Sequence, residues 1–398
     1  MPRRKASALQ RVIKAWDGTA SADHRMGCGL PVTIRFWKKG SERGRRHAQA
    51  MRTSAMADLR PGKHDKHGND MSDHKKGVWV QTRLIPFPSS ISPEARASLE
   101  RGVNDDGVPL NALHTMPPTD DHAAWMTIKA AADGHYAAVV KGLAGTLRAD
   151  VQTVRTGDAT LHVATPETLL KPGCAYVDFH GGALVFGGGE ACRAQARMQA
   201  DQHGALCYGV DYRMPPEHPY PAAVDDAIAA YRYVLERHAA SRVIVGGRSA
   251  GGNIAAAMLL RAKDEGLPLP AGLILLSPQV DLTESGDSFQ VHQMVDVVLP
   301  GSLMRNNELY AGGADLSHPD LSPLFGNLSG LPPTFLQSGT RDLFLSNAVR
   351  MHRALRRAKV DAELHVFEAM PHGGFQGNTP EDQDLAAEVS RFIDARWR

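Results

Sequence analysis

The stretch Val243-Ile244-Val245-Gly246-Gly247-Arg248-Ser249-Ala250-Gly251-Gly252-Asn253 restricts this chain more than any other. An apolar run leads into a serine flanked by glycines at 247 and 251, and an alanine-rich segment follows. The pattern predicts a strand that turns sharply into a helix, with Ser249 held at the turn in a strained, exposed position. Glycine is required at 247 and 251 because a Cβ there would collide with the neighbouring strand and helix. Ser249 therefore reads as a nucleophile. The bland alternative is a serine in a glycine turn, so the surroundings have to decide.

The chain is 398 residues long and 42% hydrophobic, enough for a sizeable core in one large domain or two small ones. Its formal net charge of +2 hides an asymmetry. Residues 1–76 carry 18 Lys/Arg against 7 Asp/Glu, a net of +11, and the remainder carries 27 against 36, a net of −9. The basic head, poor in aliphatic residues, reads as a disordered extension over residues 1–83. Within it Leu9, Val12, Ile13 and Trp16 follow helical spacing among Arg3, Arg4, Lys5, Arg11 and Lys14. Two readings stand: a short basic helix that touches a membrane or acts as a transit peptide, or sequence upstream of a true start at Met71. A nucleic-acid partner is not expected, because the head lacks interleaved aromatics for stacking.

Cys28, Cys174, Cys192 and Cys207 show no metal-finger or C-x-x-C spacing and read as reduced thiols of a cytosolic protein. No run reaches the roughly 18 apolar residues of a spanning helix, and a cytoplasmic location is expected. His64, His67, Asp70, Asp73 and His74 are metal-ligating types, but in a polar, glycine-containing segment they read as a solvated run. Neither a metal nor an organic cofactor is expected.

From about residue 84 the chain reads as folded. Ser92 and Pro93 open a helix as N-cap and first helical residue, and a second helix is predicted over 120–140. Strands are predicted over 147–156, 160–164, 175–180 and 205–211, then a helix over 222–238 and the strand 243–246. Helix 252–263, strand 273–277, a polar insertion at 283–313 and strand 334–338 come next. Helix 347–359, strand 363–367 and helix 382–397 finish the chain. Strands alternating with helices, several of them continuously apolar, predict an α/β fold with a mostly parallel sheet covered on both faces.

A serine hydroxyl needs a base, and the base needs an orienting partner. Asp342, in Gly339-Thr340-Arg341-Asp342, follows the apolar strand 334–338; His372, in Met370-Pro371-His372-Gly373-Gly374-Phe375, follows strand 363–367. Both fall beyond the carboxyl ends of predicted strands, where a parallel sheet presents its ligand-facing loops. His180-Gly181-Gly182-Ala183 lies beyond another strand and offers backbone N–H groups to an oxyanion, with Gly182, Ala183 and Ala250 as the expected donors. A phosphate cradle over 181–189 is the rival reading, and no Gly-Lys-Ser/Thr follows to support it.

These motifs, together with Asp211-Tyr212-Arg213-Met214-Pro215-Pro216-Glu217-His218-Pro219, resemble the hormone-sensitive-lipase-like bacterial carboxylesterases of the α/β-hydrolase fold. The likeness runs from about residue 84 to the end. It implies hydrolysis of small-molecule esters with short or medium acyl chains, without cofactor. It also implies a helical cap over residues 84–145 and 283–313, a catalytic domain over 146–398, and a homodimer as an alternative to a monomer. Two positions depart from the family. Ala183 stands where a third glycine is usual, which costs of order 1 kcal/mol if φ is positive there. Arg248 stands where Asp or Thr is usual, and is expected either to pair with Asp211 or Glu217 or to attract an anionic substrate group.

On this reading His372 takes the Ser249 proton and Asp342 fixes the imidazole tautomer. kcat/KM is then expected to rise with an apparent pKa of about 6.5–7. His180, Gly181, Tyr212, Arg213 and Glu217 are expected to brace the oxyanion loop and the elbow. A lactone or amide (aryl-formyl) substrate for the same triad stays open, as does a non-catalytic hydrolase-fold receptor for a small ligand.

Overall fold

Five strands of this chain are buried at nearly every position, as strands of a sheet covered on both faces are. The computed structural model describes residues 78, 82–143, 145–376 and 379–397. The basic head, its helical-spaced stretch, Met71 and the histidine run at 64–74 lie outside the described residues. In chain order the elements are α1 (Pro93–Arg101), α2 (His122–Leu143), β1 (Asp150–Thr156), β2 (Ala159–Thr165), β3 (Ala175–Phe179), α3 (Glu190–His203) and β4 (Leu206–Asp211). They continue with α4 (Ala222–Leu235), β5 (Val243–Arg248), α5 (Ala250–Asp264), β6 (Gly272–Leu276), α6 (Ser288–Val291) and α7 (Met304–Ala311). The last are β7 (Thr334–Gly339), α8 (Leu345–Arg357), β8 (Ala362–Phe367) and α9 (Pro380–Arg396).

The eight strands form one sheet in the order β1-β2-β4-β3-β5-β6-β7-β8. The pairs from β4 through β8 are parallel, and β1–β2 and β2–β4 are antiparallel. The sheet is therefore mostly parallel with an antiparallel edge. That edge follows from the turn at Gly157 (φ +60), which links β1 directly to β2 and leaves no room for a crossover.

One element departs from the sequence reading. Parallel β3 and β4 need a crossover, and α3 supplies it over residues where no helix is predicted. Its core-facing residues, Cys192, Ala194, Ala196, Ala200 and His203, are small or polar, so the usual stripe of large apolar residues is missing. The small side chains have a reason: a Cβ on Gly209 of β4 would stand 2.7 Å from that of Ala196, so helix and strand pack closely here.

Each sheet face buries its own core. One joins Ile228 and Tyr231 of α4, Ile254 and Met258 of α5 and Leu355 of α8 to Val177, Val245 and Leu275. The other joins Leu99 of α1, Ala200 of α3 and Phe392 of α9 to Tyr176, Ile244 and Phe335. α1 starts as expected, with the Ser92 hydroxyl accepting the Ala95 N–H at 3.1 Å. A smaller apolar cluster of Trp125, Ala132, Val185, Phe186 and Leu309 joins α2, the loop after β3 and α7. Cys174, Cys192 and Cys207 are unpaired thiols. Among the described residues, no helix is long and apolar enough to cross a membrane.

Candidate active site

β5 passes into α5 through Ser249, whose φ of 57° lies in the left-handed region that side-chain-bearing residues avoid. The flanking glycines make that turn feasible. A Cβ on Gly247 would meet the Gly251 carbonyl oxygen at 2.2 Å, and one on Gly251 would meet that of Phe179 at 1.9 Å. One expectation needs correction: Ser249 is only 7% exposed, because His372 sits directly on its hydroxyl.

The structure brings the three sequence-predicted residues together. Asp342 follows β7 and His372 follows β8, so both loops leave the same end of the sheet as the elbow. His372 Nε2 lies 2.9 Å from Ser249 Oγ, and Nδ1 lies 3.0 Å from Asp342 Oδ1. Phe344 packs edge-on against the imidazole, with ring centroids 4.8 Å apart. Asp342 is fully buried. Burial alone would raise its carboxyl, but the charge and hydrogen bond of His372, the Phe344 N–H at 2.9 Å and the Ser338 hydroxyl at 2.8 Å hold it below the usual range. Such a chain fixes one tautomer of the imidazole and holds its Nε2 at proton-transfer distance from a hydroxyl.

Sequence reasoning missed Asp296. It lies in the 283–313 insertion, fully buried, and accepts the N–H groups of Val298 at 2.9 Å, Leu299 at 3.2 Å, Leu343 at 2.8 Å and His372 at 3.3 Å. Burial and then the neighbouring Asp342 charge push its carboxyl up to about 6. Asp296 thus holds the residue after Asp342 and the backbone of His372 to one anchor. A lone Asp in a polar insertion carries no motif, so nothing in the sequence signals it.

The loop after β3 lies against the elbow, where a Cβ on Gly181 would approach the Arg248 carbonyl oxygen at 3.2 Å and Ser249 Cβ at 3.5 Å. Gly182 has φ +128, and Ala183 and Leu184 follow with φ of 52° and 64°. The Gly182 carbonyl accepts the N–H groups of Val185 and Phe186 at 3.0 and 2.8 Å, which closes the turn. Among the described residues, the N–H groups of Gly182, Ala183 and Ala250 have no protein acceptor. Ala183 therefore occupies the strained conformation that glycine would relieve.

His180 braces this loop. Its Nδ1 lies 2.7 Å from the Gly181 carbonyl, which accepts the proton, while the Tyr212 hydroxyl donates to the His180 carbonyl at 2.7 Å and the two rings stack at 4.2 Å. Burial lowers the His180 pKa and so favours the neutral ring. Asp133 of α2 accepts the Gly187 N–H at 2.9 Å. Ligand atoms of His180, Cys192 and Asp211 lie within 4.8 Å of one another, a donor set able to hold zinc. Asp211 already accepts the Gly189 N–H at 3.0 Å and faces His162 at 3.4 Å, and burial raises the Cys192 thiol away from its metal-binding form.

Three expected neighbours sit elsewhere. Glu217 pairs with Lys129 of α2 at 2.9 Å rather than bracing the oxyanion loop. Arg213 pairs with buried Asp226 at 2.8 Å and with Asp158 at 3.1 Å. Arg248 meets neither Asp211 nor Glu217. β4 is two strands from β5, so the buried acid on its side is Asp178 of the intervening β3. Its Nη1 instead donates to the Gly373 carbonyl, beside His372.

A parallel sheet with a serine elbow, a tethered histidine and a glycine loop at one end defines an α/β hydrolase. The model of the α/β-hydrolase fold family matches residues 176–376, and the chain belongs to that family. An acetyl-hydrolase of Streptomyces hygroscopicus is 37% identical over 225 residues, 56% of this chain and 73% of the relative. An esterase of Acinetobacter venetianus is 32% identical over 218 residues, 54% and 72% of the two chains. The crystal structure of an esterase matches with a TM-score of 0.74 and 31% identity over 80% of this chain and 98% of that one. A hormone-sensitive lipase from a metagenome library matches with a TM-score of 0.66 and 30% identity over 76% and 98%. Within the family, the likeness is to bacterial esterases of the hormone-sensitive-lipase type.

Proposed function

We propose that this chain hydrolyses small carboxylic esters of short to medium acyl chain through an acyl-enzyme on Ser249. The observation that carries this is the unbroken link from Ser249 Oγ through His372 to buried Asp342, at 2.9 and 3.0 Å. His372 takes the hydroxyl proton as Oγ attacks the ester carbonyl, and returns it to the departing alcohol. Water, deprotonated by the same imidazole, then releases the acid and restores Ser249. The N–H groups of Gly182, Ala183 and Ala250 hold the tetrahedral oxyanion; one such donor is typically worth about 3–4 kcal/mol. Asp342 keeps Nε2 facing the serine and stabilises the imidazolium.

Residues 84–145 and 283–313 form the cap in this reading, over a catalytic domain of 146–398. The cluster of Trp125, Val185, Phe186 and Leu309 supports it, since it joins both cap segments to the oxyanion loop. A cytoplasmic location belongs to the same proposal and is supported by the unpaired thiols of Cys174, Cys192 and Cys207.

Hydrolysis of p-nitrophenyl acetate, butyrate, octanoate and palmitate tests the proposal. The reading expects kcat/KM to peak at or below octanoate; turnover of none of the four, or a preference for palmitate, contradicts it.

A further inference from the structure

Arg248 is the residue before the proposed nucleophile, and its side chain runs behind the elbow to the loop that carries the proposed base. Nη1 donates to the carbonyl of Gly373, the residue after His372. Gly373 and Gly374 have φ of +77 and +93, and a Cβ on either would stand 4.0 or 3.8 Å from the same Nη1. The guanidinium therefore lies directly under the turn that follows His372. Burial opposes its charge, and Asp382 at the start of α9 and then buried Asp178 of β3 favour it. Asp178 is itself fixed by Gln195 at 2.8 Å and Gln199 at 3.3 Å, both from α3. Asp382 accepts the Phe375 N–H at 3.0 Å, so it holds the far end of the same loop.

The loop is thus gripped on both sides of His372. Asp296 takes the N–H of His372, and Arg248 takes the carbonyl of its successor. A lysine at 248 would offer one compact ammonium in place of the planar fork whose Nη1 reaches the Gly373 carbonyl. No atom of Arg248 is hydrogen-bonded to Ser249, Asp342 or His372 side chains among the described residues.

We propose that Arg248 is a positioning residue for the base: it ties the backbone position next to Ser249 to the loop of His372 and so sets the Ser249–His372 separation. The inference rests on the esterase reading above and names the device that keeps its proton transfer in register. Displacing a catalytic group by about 1 Å can cost on the order of a hundredfold in rate. Such a role acts on kcat, whereas an arginine that attracts an anionic substrate acts on KM.

The test compares wild type, Arg248→Gln and Arg248→Lys by kcat and KM for p-nitrophenyl butyrate, the rate of fluorophosphonate labelling, and melting temperature. Arg248→Gln is expected to lose about 30-fold or more in kcat and in labelling rate, with KM within about twofold. Arg248→Lys, which keeps the cation near Asp178 and Asp382, is expected to recover part of that loss while staying below wild type. A folded Arg248→Gln with kcat within about twofold of wild type, or a loss confined to KM, overturns the proposal. Should Arg248→Gln fail to fold, Arg248→Lys decides: wild-type kcat overturns the proposal and a reduced kcat at unchanged KM supports it. A wild-type protein that neither labels nor turns over ester overturns the esterase reading itself, and this inference with it.

Discussion

Both carboxylate oxygens of Asp296 lie 3.3 Å from the backbone nitrogen of His372, and Oδ2 also accepts the N–H of Leu343, the residue after Asp342. A side chain from the insertion therefore locks together the two loops that carry the proposed base and its orienting acid. Asp296→Asn places amide hydrogens against N–H donors and leaves part of this set unpaired. Each buried donor left unmatched costs about 1–3 kcal/mol. The expected outcome is a lower melting temperature and a kcat reduced about tenfold or more, with KM little changed. Steady-state kinetics beside a thermal melt check it, and an unaltered kcat would show that the loops hold register without Asp296.

The oxyanion loop gives opposite expectations at adjacent positions. A Cβ on Gly182 would stand 2.0 Å from the Phe186 carbonyl oxygen, with φ at +128, so Gly182→Ala is expected to abolish turnover. Ala183 already holds a left-handed φ of 52°, and its N–H does not depend on the side chain. Ala183→Gly should retain activity within about threefold and change stability by no more than about 1 kcal/mol, since relief of strain is offset by the greater entropy of glycine in the unfolded chain. Paired melts and kinetics distinguish the two; an inactive Ala183→Gly would contradict this account.

Much of this site was legible because its chemistry is local. Gly247, Ser249 and Gly251 mark a strand–turn–helix junction, and Asp342 and His372 each follow an apolar strand, so sheet topology alone carries them to one end. At Ala183 the sequence leaves a positive φ only as a condition, and the backbone there has φ 52°. What escaped depends on distant packing. α3 shows small residues to the sheet because β4 approaches it closely at Gly209, and Asp296 reaches His372 across 76 residues of chain. The partner of Arg248 was misjudged because Asp211 is near in motif but two strands away in the sheet, whereas Asp178 occupies the strand between.

Asp178 makes stability depend on pH. Burial first, opposed by Gln195, Arg248 and Gln199, leaves its carboxyl raised to about 7 from 3.8. A carboxyl with a raised folded-state pKa binds its proton more tightly when folded. Its contribution is full below about pH 4, is lost as pH rises toward about 7, and is flat above. Asp178→Asn cannot ionise and should gain stability relative to wild type between pH 5 and pH 8. Denaturant midpoints at those two pH values check this; a difference between the proteins that stays constant with pH counts against it.

Glu217 sits in the motif that runs from Asp211 to Pro219, yet its partner is Lys129, and its side chain is 40% exposed. Pairs this accessible contribute about 0–1 kcal/mol. Glu217→Gln is therefore expected to keep kcat within about twofold and to lower the melting temperature by no more than a few degrees. A kcat loss of tenfold or more would return Glu217 to the oxyanion machinery.

The most direct test of the central claim is intact-protein mass after reaction with a fluorophosphonate, for wild type and Ser249→Ala. One covalent adduct per wild-type chain is expected, formed as ester hydrolysis is lost, and no adduct on Ser249→Ala. An adduct that persists in Ser249→Ala, or a wild-type chain that hydrolyses ester without forming one, would contradict Ser249 as the nucleophile.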